Sequence, residues 1–188
     1  EGNKPWRKDI VPTINAALSV GTDVTQAHSL CANAESTACF QGQTHGHKGF
    51  LVSLDDARSL IKADKKNAEV LFPFLIGEDL VNNVDGAPSR YVIDFQPRNI
   101  IEASKYTAIF KRVEGEVLPK RKAKAKEEAD ANAELLAKKP NAKVNKHHQN
   151  FLKKWWLLSY PREDLITTLS KIPRYIVCSR VTKRPIFA

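Results

Sequence analysis

The 188-residue chain is 42% hydrophobic, a content that fits one folded domain, or one domain with an additional segment, rather than a disordered protein. Its formal charge of +9 is unevenly placed, because residues 100–188 carry 20 Lys and Arg against 9 acidic residues whereas residues 1–99 carry 10 against 12. No apolar run approaches the roughly 18 residues of a membrane span, and the first residues lack the apolar core of a signal peptide, so we expect a cytoplasmic protein with no membrane partner. Methionine is absent, including at position 1, which predicts a piece of a longer protein.

Residues 1–39 are weakly patterned and are predicted to be a linker or lead-in segment, with a short helix at Val11–Leu18. From Cys39 onwards, apolar ends bracket a polar middle. This pattern predicts a strand, a loop over Gln41–Lys48 and a return strand over Phe50–Val52.

Ser53 is followed three residues later by Asp56, a pattern typical of a helix N-cap, and apolar residues at helical spacing predict a helix over Leu54–Lys62. Further along, the β-branched and aromatic run Ser89–Phe95 predicts a strand.

Apolar residues recur at helical spacing over Ile100–Val117, which predicts one continuous helical stripe ended by Pro119. Residues 120–146 are rich in Ala, Lys and Glu and have almost no large apolar side chain. They predict a solvated helix or a mobile linker that contributes nothing to the core and is the most mobile internal segment. A further helix is predicted over Arg162–Lys171.

Near the end of the chain, the apolar run Tyr175–Cys178 predicts a buried strand, and Ile186–Ala188 predicts the start of a second one. Arg180, Lys183 and Arg184 lie between them. Strands and helices are mixed without a regular βαβ alternation, so the predicted class is α+β, with a mixed sheet, packed helices and the Lys-, Ala- and Glu-rich segment either helical or mobile.

Cys31, Cys39, His45 and His47 are candidate zinc ligands. Their spacing, C-x7-C-x5-H-x-H, lacks the short cysteine pair of structural zinc sites, and buried thiols with surface imidazoles are the favoured interpretation. With Cys178 the cysteines number three, an odd count without a secretory signal, which favours free thiols in a reducing compartment.

The sequence shows no convincing catalytic arrangement. The G-x-S-x-G nucleophile turn, the Walker loop and the dinucleotide-binding glycine motif are all absent. The acidic pair Glu78-Asp79 is a candidate general base, but such a pair more often caps a helix. We therefore predict no catalytic residue, no metal and no bound cofactor within these 188 residues.

Positive charge concentrated in one half of a chain is typical of proteins that bind polyanions, above all nucleic acid, although charged runs also occur on ordinary solvated surfaces. Basic and aromatic residues are interleaved in one run: Lys146, His147, His148, Lys153, Lys154, Trp155 and Trp156. Tandem tryptophans are able to stack on the bases of a single strand. Their apolar flanks instead predict that one of them is in the core, with Lys153 and Lys154 facing a phosphate backbone.

Arg180, Lys183 and Arg184 are candidates for reading bases, because arginine or lysine on a rigid turn can donate to O6 and N7 of guanine. The alternative is a hairpin turn whose charges face solvent.

Several segments occur in order along the chain: FQGQTHGHKGF, LFPFLIGEDL, SRYVIDF, WWLL followed by PRE, and RYIVCSRVTKRPIF. Together they resemble the target recognition domain of large single-chain adenine methyltransferases, the type IIG/IIL restriction–modification enzymes and their relatives in BREX-like phage defence. The resemblance extends from about Phe40 to Ala188, with a gap over residues 120–146.

The resemblance implies that DNA recognition and catalysis belong to different domains. In that family, a separate N-terminal catalytic domain binds S-adenosylmethionine and uses an Asn-Pro-Pro-Tyr motif to position a flipped adenine for methylation at N6. That motif is absent here, so residues 40–188 are expected to choose the site by binding double-stranded DNA beside their own methyltransferase domain. The expected DNA contacts are Arg180, Lys183, Arg184, Lys146, His147, His148, Lys153, Lys154, Gln43 and Lys48.

Two alternatives stay open from the residues alone. The charge and the Lys- and Ala-rich segment would also suit an RNA- or ribosome-associated basic protein. A self-contained zinc-dependent hydrolase would use the His and Cys cluster.

Overall fold

The computed structural model describes residues 8, 10–16, 18, 20, 39–83, 85–181 and 186–188. The chain divides into two units, Glu1–Phe40 and Gln41–Ala188.

In the first unit, the helix predicted at Val11–Leu18 is wrong for the residues described there. They form one turn, closed by the Leu18 amide donating to the Asn15 carbonyl at 2.9 Å. Ile14 is 62% exposed and Leu18 is 87% exposed. A helix of this length is marginal without packing, and these side chains have little.

The second unit is built on a three-stranded sheet made of β1 (Leu51–Ser53), β2 (Leu71–Pro73) and β3 (Arg90–Ile93). β3 lies in the middle and pairs antiparallel with both neighbours. The predicted α+β class is confirmed. The expectation of a mixed sheet is wrong for the described strands, because β3 pairs antiparallel with both β1 and β2 and no two described strands pair parallel.

Helices account for many more residues of this unit than strands do. Its described α-helices are α1 (Leu54–Ala63), α2 (Gly77–Asn82), α3 (Ile100–Ser104), α4 (Thr107–Glu116), α5 (Leu118–Lys138), α6 (His147–Lys153) and α7 (Glu163–Leu169). Short 3-10 turns occupy Lys48–Phe50 and Lys65–Glu69. Within the described ranges, no helix has the length and apolar character needed to cross a membrane.

Strong local sequence signals are confirmed in this unit. Ser53 Oγ accepts a hydrogen bond from the Asp56 amide at 3.1 Å and starts α1 as predicted. The strands predicted over Phe50–Val52 and Ser89–Phe95 correspond to β1 and β3, and the helix predicted over Arg162–Lys171 corresponds to α7.

The core contains β-strand residues and the apolar face of α4. The largest fully buried side chains are Phe50, Phe95, Ile93, Ile109, Val52, Val70, Val92, Val113 and Val117. The stripe predicted over Ile100–Val117 does enter the core from Ala103 onwards, but α3 ends at Ser104 and α4 begins only at Thr107. Pro119 lies in the first turn of α5 instead of ending a helix, because that turn leaves backbone donors unpaired and tolerates proline.

For residues 120–146, the helical alternative is confirmed as far as Lys138, where α5 ends. The expectation that this segment contributes no buried residue is wrong, because Arg121, Ala125 and Glu128 are buried. Residues three and four positions apart share one helix face. The apolar pattern missed this face because two of its three side chains are charged.

The buried strand predicted over Tyr175–Cys178 is also wrong. Ile176 is 79% exposed, and the pairing described here is an isolated antiparallel bridge between Cys178 and Phe187. Two short extended segments joined by a single bridge do not form a stable sheet, so the apolar composition of this run does not lead to burial.

Candidate nucleic-acid interface

The loop over Gln41–Lys48 is fixed to the segment that follows α6. Thr44 and Tyr160 exchange two backbone hydrogen bonds, at 3.0 and 3.1 Å. Gly46 has a φ of 74°, and a Cβ at this position would lie 1.8 Å from Ser159 Oγ, so both conformation and close approach require glycine. Two segments far apart in the sequence, both predicted to contact DNA, are thereby brought together.

The side chain of Gln43, one of the predicted DNA contacts, forms hydrogen bonds inside the protein. Its side-chain nitrogen donates to Asp94 Oδ2 and to the Pro161 carbonyl, both at 2.9 Å. Burial raises the pKa of the Asp94 carboxyl, although hydrogen bonds from the Gln96 amide and from Gln43 oppose this effect. Both hydrogens of the Gln43 amide nitrogen are used inside the protein, so we do not include Gln43 in the candidate interface, and its contact with DNA stays a prediction.

Every residue of α6 is exposed or half-buried, and α5 holds this helix at both ends. At the first turn, the Glu128 carboxylate accepts hydrogen bonds from the backbone amides of His148 and Gln149, both at 3.0 Å. The first amides of a helix have no partner within it and favour negative charge. Burial acts to raise the pKa of Glu128, but these hydrogen bonds outweigh it and the pKa is lowered.

Arg121 holds the other end of α6. Its Nη1 donates to the carbonyls of Phe151 and Lys154 at 3.1 and 3.0 Å, and its Nη2 donates to Ser159 Oγ at 3.2 Å. The guanidinium also lies over the rings of Phe50 and Phe151, at 5.4 and 5.5 Å. The side chain is 8% exposed, and burial lowers the pKa of Arg121 to about 10. Arg121 therefore joins α5 to α6 and to the 3-10 turn that ends at Phe50.

We define the basic surface as Lys48, Lys120, Lys153 and Lys154. All four side chains are exposed, and none of them forms an ion pair with a carboxylate of the described residues. They come from the 3-10 turn, the start of α5 and the end of α6, the elements that Arg121 connects. The structure thus gathers three predicted contacts on elements joined through a single buried side chain.

Lys120 is the member of the basic surface that sequence reasoning missed. It lies close enough to His47 to affect that side chain, since the pKa of His47 is lowered by burial first and then by the charges of Lys120 and Arg121. The run PKRKAK was a usable signal, but its composition was interpreted as a solvated or mobile segment without a fixed place.

Aromatic side chains next to the basic surface are already covered by cations. Phe151 and Tyr160 contact each other with ring centroids 5.7 Å apart, and His147 packs against Phe151 at 4.4 Å. Arg121 lies over Phe151 at 5.5 Å and Arg162 lies over Tyr160 at 5.3 Å. Each of these two rings therefore has a guanidinium group over one face, and Tyr160 is still 42% exposed.

The expectation that one tryptophan lies in the core is confirmed. Trp155 is 9% exposed and packs against Phe110 with ring centroids 5.3 Å apart. Trp156 is half-buried, and its Nε1 donates to the Arg98 carbonyl at 3.2 Å.

The remaining predicted DNA contacts are less constrained. Lys146 is exposed and precedes the first residue of α6. Arg180 is exposed and makes no hydrogen bond or ion pair with another described residue. Lys183 and Arg184 lie outside the described residues, and their contacts with DNA, to phosphates or to bases, stay a prediction.

The described residues contain no group of three or more His, Cys, Asp or Glu side chains placed to hold a metal ion. Cys31 lies outside the described residues, and Cys39 is a free, exposed thiol in an irregular segment. The interpretation of Cys39 as buried, and of the residues after it as a strand, is therefore wrong, because the segment does not enter the core. His45 Nδ1 lies 3.0 Å from the His47 carbonyl, and His47 Nδ1 accepts from the Gly49 amide at 2.9 Å.

The acidic pair at the start of α2 has a structural role, as the favoured interpretation held. Asp79 Oδ2 accepts a hydrogen bond from the Ile76 amide at 3.1 Å and caps the helix.

Comparison with known proteins finds no matching protein family, no matching curated protein and no matching solved structure.

Proposed function

We propose that this chain is a double-stranded DNA-binding module that selects the target site for an S-adenosylmethionine-dependent adenine-N6 methyltransferase of a restriction–modification or phage-defence system. The basic surface supports the DNA-binding part of this proposal. The methyltransferase part is supported by the segments that resemble target recognition domains and follow one another in order along the chain. The catalytic domain and its cofactor would then belong to another part of the polypeptide.

The contrast between buried and exposed charges carries the proposal. The buried charges of Arg121 and Glu128 have their hydrogen-bond partners inside the protein. The exposed lysines of the basic surface have no carboxylate partner among the described residues. DNA phosphates would supply the missing counter-charges. The small cations that neutralise these phosphates in free DNA would then be released.

Duplex DNA fits this surface better than a single strand does. Proteins that bind single strands without sequence preference combine a basic groove with exposed aromatic faces on which bases stack. Here Arg121 and Arg162 lie over the rings of Phe151 and Tyr160, and Trp155 is in the core. Contacts to phosphates require only the exposed ammonium groups.

A binding titration tests the proposal. We would measure the anisotropy of labelled duplex DNA, single-stranded DNA and RNA of one sequence between about 50 and 300 mM salt, a range over which phosphate contacts weaken strongly. Four lysine–phosphate contacts would give a slope of about −3.6 in log K against log salt, since each contributes about 0.9. Lys154→Ala should make the slope less negative by about 0.9, whereas the control Lys62→Ala, which removes an exposed lysine on α1, should leave it unchanged.

Two results would contradict the proposal. Tighter binding to RNA than to duplex DNA would favour an RNA-associated protein, and an absence of salt-dependent binding to any nucleic acid would rule out the basic surface as an interface. The same chain should give a flat calorimetric titration with S-adenosylmethionine. A micromolar isotherm would contradict the assignment of methyl transfer to another domain.

A further inference from the structure

The charge of Arg162 is not balanced by an ion pair with any carboxylate of the described residues. We propose that Arg162 is a phosphate-binding residue of the same DNA interface, an inference that rests on the proposed function. It was not among the residues predicted to contact DNA, and its position is set by neutral groups alone.

Three arginines are paired with carboxylates and a fourth is buried, whereas Arg90 resembles Arg162 in being half-buried with hydrogen bonds only to a neutral group, Ser89 Oγ. Arg58, Arg98 and Arg112 form ion pairs with carboxylates. Arg121 is buried and gives its hydrogens to two carbonyls and a hydroxyl. Arg162 is half-buried and forms no ion pair with a carboxylate of the described residues.

The guanidinium of Arg162 is nevertheless held in place. Its Nη2 donates to Gln41 Oε1 at 2.8 Å, and the group lies over the Tyr160 ring at 5.3 Å. A guanidinium that is already fixed loses little side-chain freedom when it binds an anion.

Two unfavourable features coincide at this residue. Arg162 has φ 55° and ψ 62°, a left-handed backbone conformation that residues other than glycine rarely adopt. Its Nε is buried without a hydrogen-bond partner. Strained backbone and unsatisfied polar groups concentrate at sites that bind ligands, where the surrounding structure holds them in place.

Arg162 is linked to two elements that carry the basic surface through the contacts of Tyr160. The Tyr160 backbone pairs with Thr44, in the loop that ends at Lys48, and its ring contacts Phe151 of α6 at 5.7 Å. The C-terminal end of α6 carries Lys153. One duplex on the basic surface would therefore pass close to Arg162.

The hydrogens left on Arg162 suit a phosphate oxygen, and binding to two duplexes distinguishes this contact from base reading. Reading guanine requires two donors directed together at O6 and N7. Nε is buried, and Nη2 donates one hydrogen to Gln41, so both hydrogens of Nη1 and the second hydrogen of Nη2 are unassigned. A single charge-assisted hydrogen bond suits a phosphate oxygen.

The test compares Arg162→Ala, Arg162→Lys and the control Arg58→Ala in salt titrations with two duplexes of different sequence. The control also removes one positive charge, but Arg58 is paired with Asp55. For Arg162→Ala we expect about tenfold weaker binding to both duplexes and a slope less negative by about 0.9. Arg162→Lys keeps the charge and should keep the slope, and Arg58→Ala should change neither quantity.

Thermal unfolding of each variant shows whether the fold survives, and Arg162→Gln replaces Arg162→Ala if the alanine variant does not fold. Wild-type-like affinity and slope in the neutral variant would overturn the proposal for Arg162 and leave the proposed function standing. Weaker binding to only one of the two duplexes would also overturn it, because that result indicates base reading. A wild-type chain without salt-dependent DNA binding would overturn both proposals.

Discussion

Replacing Arg121 with methionine removes the group that fixes the C-terminal end of α6. Arg121 donates to the carbonyls of Phe151 and Lys154 and to the Ser159 hydroxyl. The side chain is 8% exposed, so water cannot take over these acceptors without a rearrangement. Methionine is long, unbranched and adaptable, and the substitution therefore removes charge and hydrogen bonds while filling most of the space.

The expected loss of stability is the difference between two opposing terms. A hydrogen bond from a charged donor contributes about 1.5–3 kcal/mol, so three of them contribute about 4.5–9 kcal/mol. Burial lowers the pKa of Arg121 to about 10, well below the usual value for arginine, which corresponds to a desolvation cost of about 3 kcal/mol that methionine does not carry. We therefore expect Arg121→Met to lower the free energy of unfolding by about 1.5–6 kcal/mol.

Urea unfolding followed by tryptophan fluorescence measures this difference, because Trp155 and Trp156 follow α6 directly. Lys120→Met is the matched control: the neighbouring residue is exposed, and its replacement should change stability by less than about 0.5 kcal/mol. Lys120→Met should nevertheless weaken DNA binding, because it removes a phosphate contact without loosening α6. Equal stability of Arg121→Met and the wild type, or equal destabilisation by both substitutions, would refute this reasoning.

Three further predictions concern α5 and the loop that precedes β1. The pKa of Glu128 is lowered in the folded state. Its stabilising contribution is therefore present above the ordinary carboxyl pKa and is lost as the pH falls through the lowered value. Urea midpoints measured between about pH 6 and 3 should show this loss in the wild type and a smaller loss in Glu128→Gln. Gly46→Ala places a Cβ 1.8 Å from a neighbouring hydroxyl at a φ of 74° and should lower the thermal midpoint by an amount equivalent to about 1–3 kcal/mol, whereas Gly42→Ala, with nothing within 4 Å, should not. Limited proteolysis with trypsin should cut first within residues 139–146, which form no helix, and later at the lysines of 122–126 inside α5; mass spectrometry of the first fragments decides the order.

Local chemistry made some elements predictable from the sequence. The start of α1 depends on Ser53 and Asp56, which are three residues apart and need no distant partner. β3 combines β-branched and aromatic residues, and α4 places Ile109 and Val113 on one buried face. In each case the residues that make the contact are close together in the sequence.

Other elements depend on partners that the sequence does not bring together. Arg121 and Glu128 are buried because they contact α6, which begins only after residues 139–146. Their charged side chains give no apolar signal in the sequence. The run Tyr175–Cys178 is apolar enough to predict burial, yet Ile176 is 79% exposed, since no described strand beyond the single bridge to Phe187 pairs with it. The basic surface was found only in part for the same reason, because Lys120 joins it through the fold.

The placement of charges also decides how salt should act on this protein. Arg121 and Glu128 contact carbonyls, amides and a hydroxyl at sites that are less than a tenth exposed, and mobile ions screen buried interactions much less than exposed ones. Attachment of α6 should therefore change little between 50 and 300 mM salt, a range over which contacts between exposed lysines and phosphates weaken strongly. If exposed ion pairs held α6 instead, added salt would loosen the helix and weaken DNA contacts together, and the two effects could not be separated. Because the attachment is buried, the salt slope of DNA binding counts phosphate contacts alone, and each lysine variant can be assigned from it.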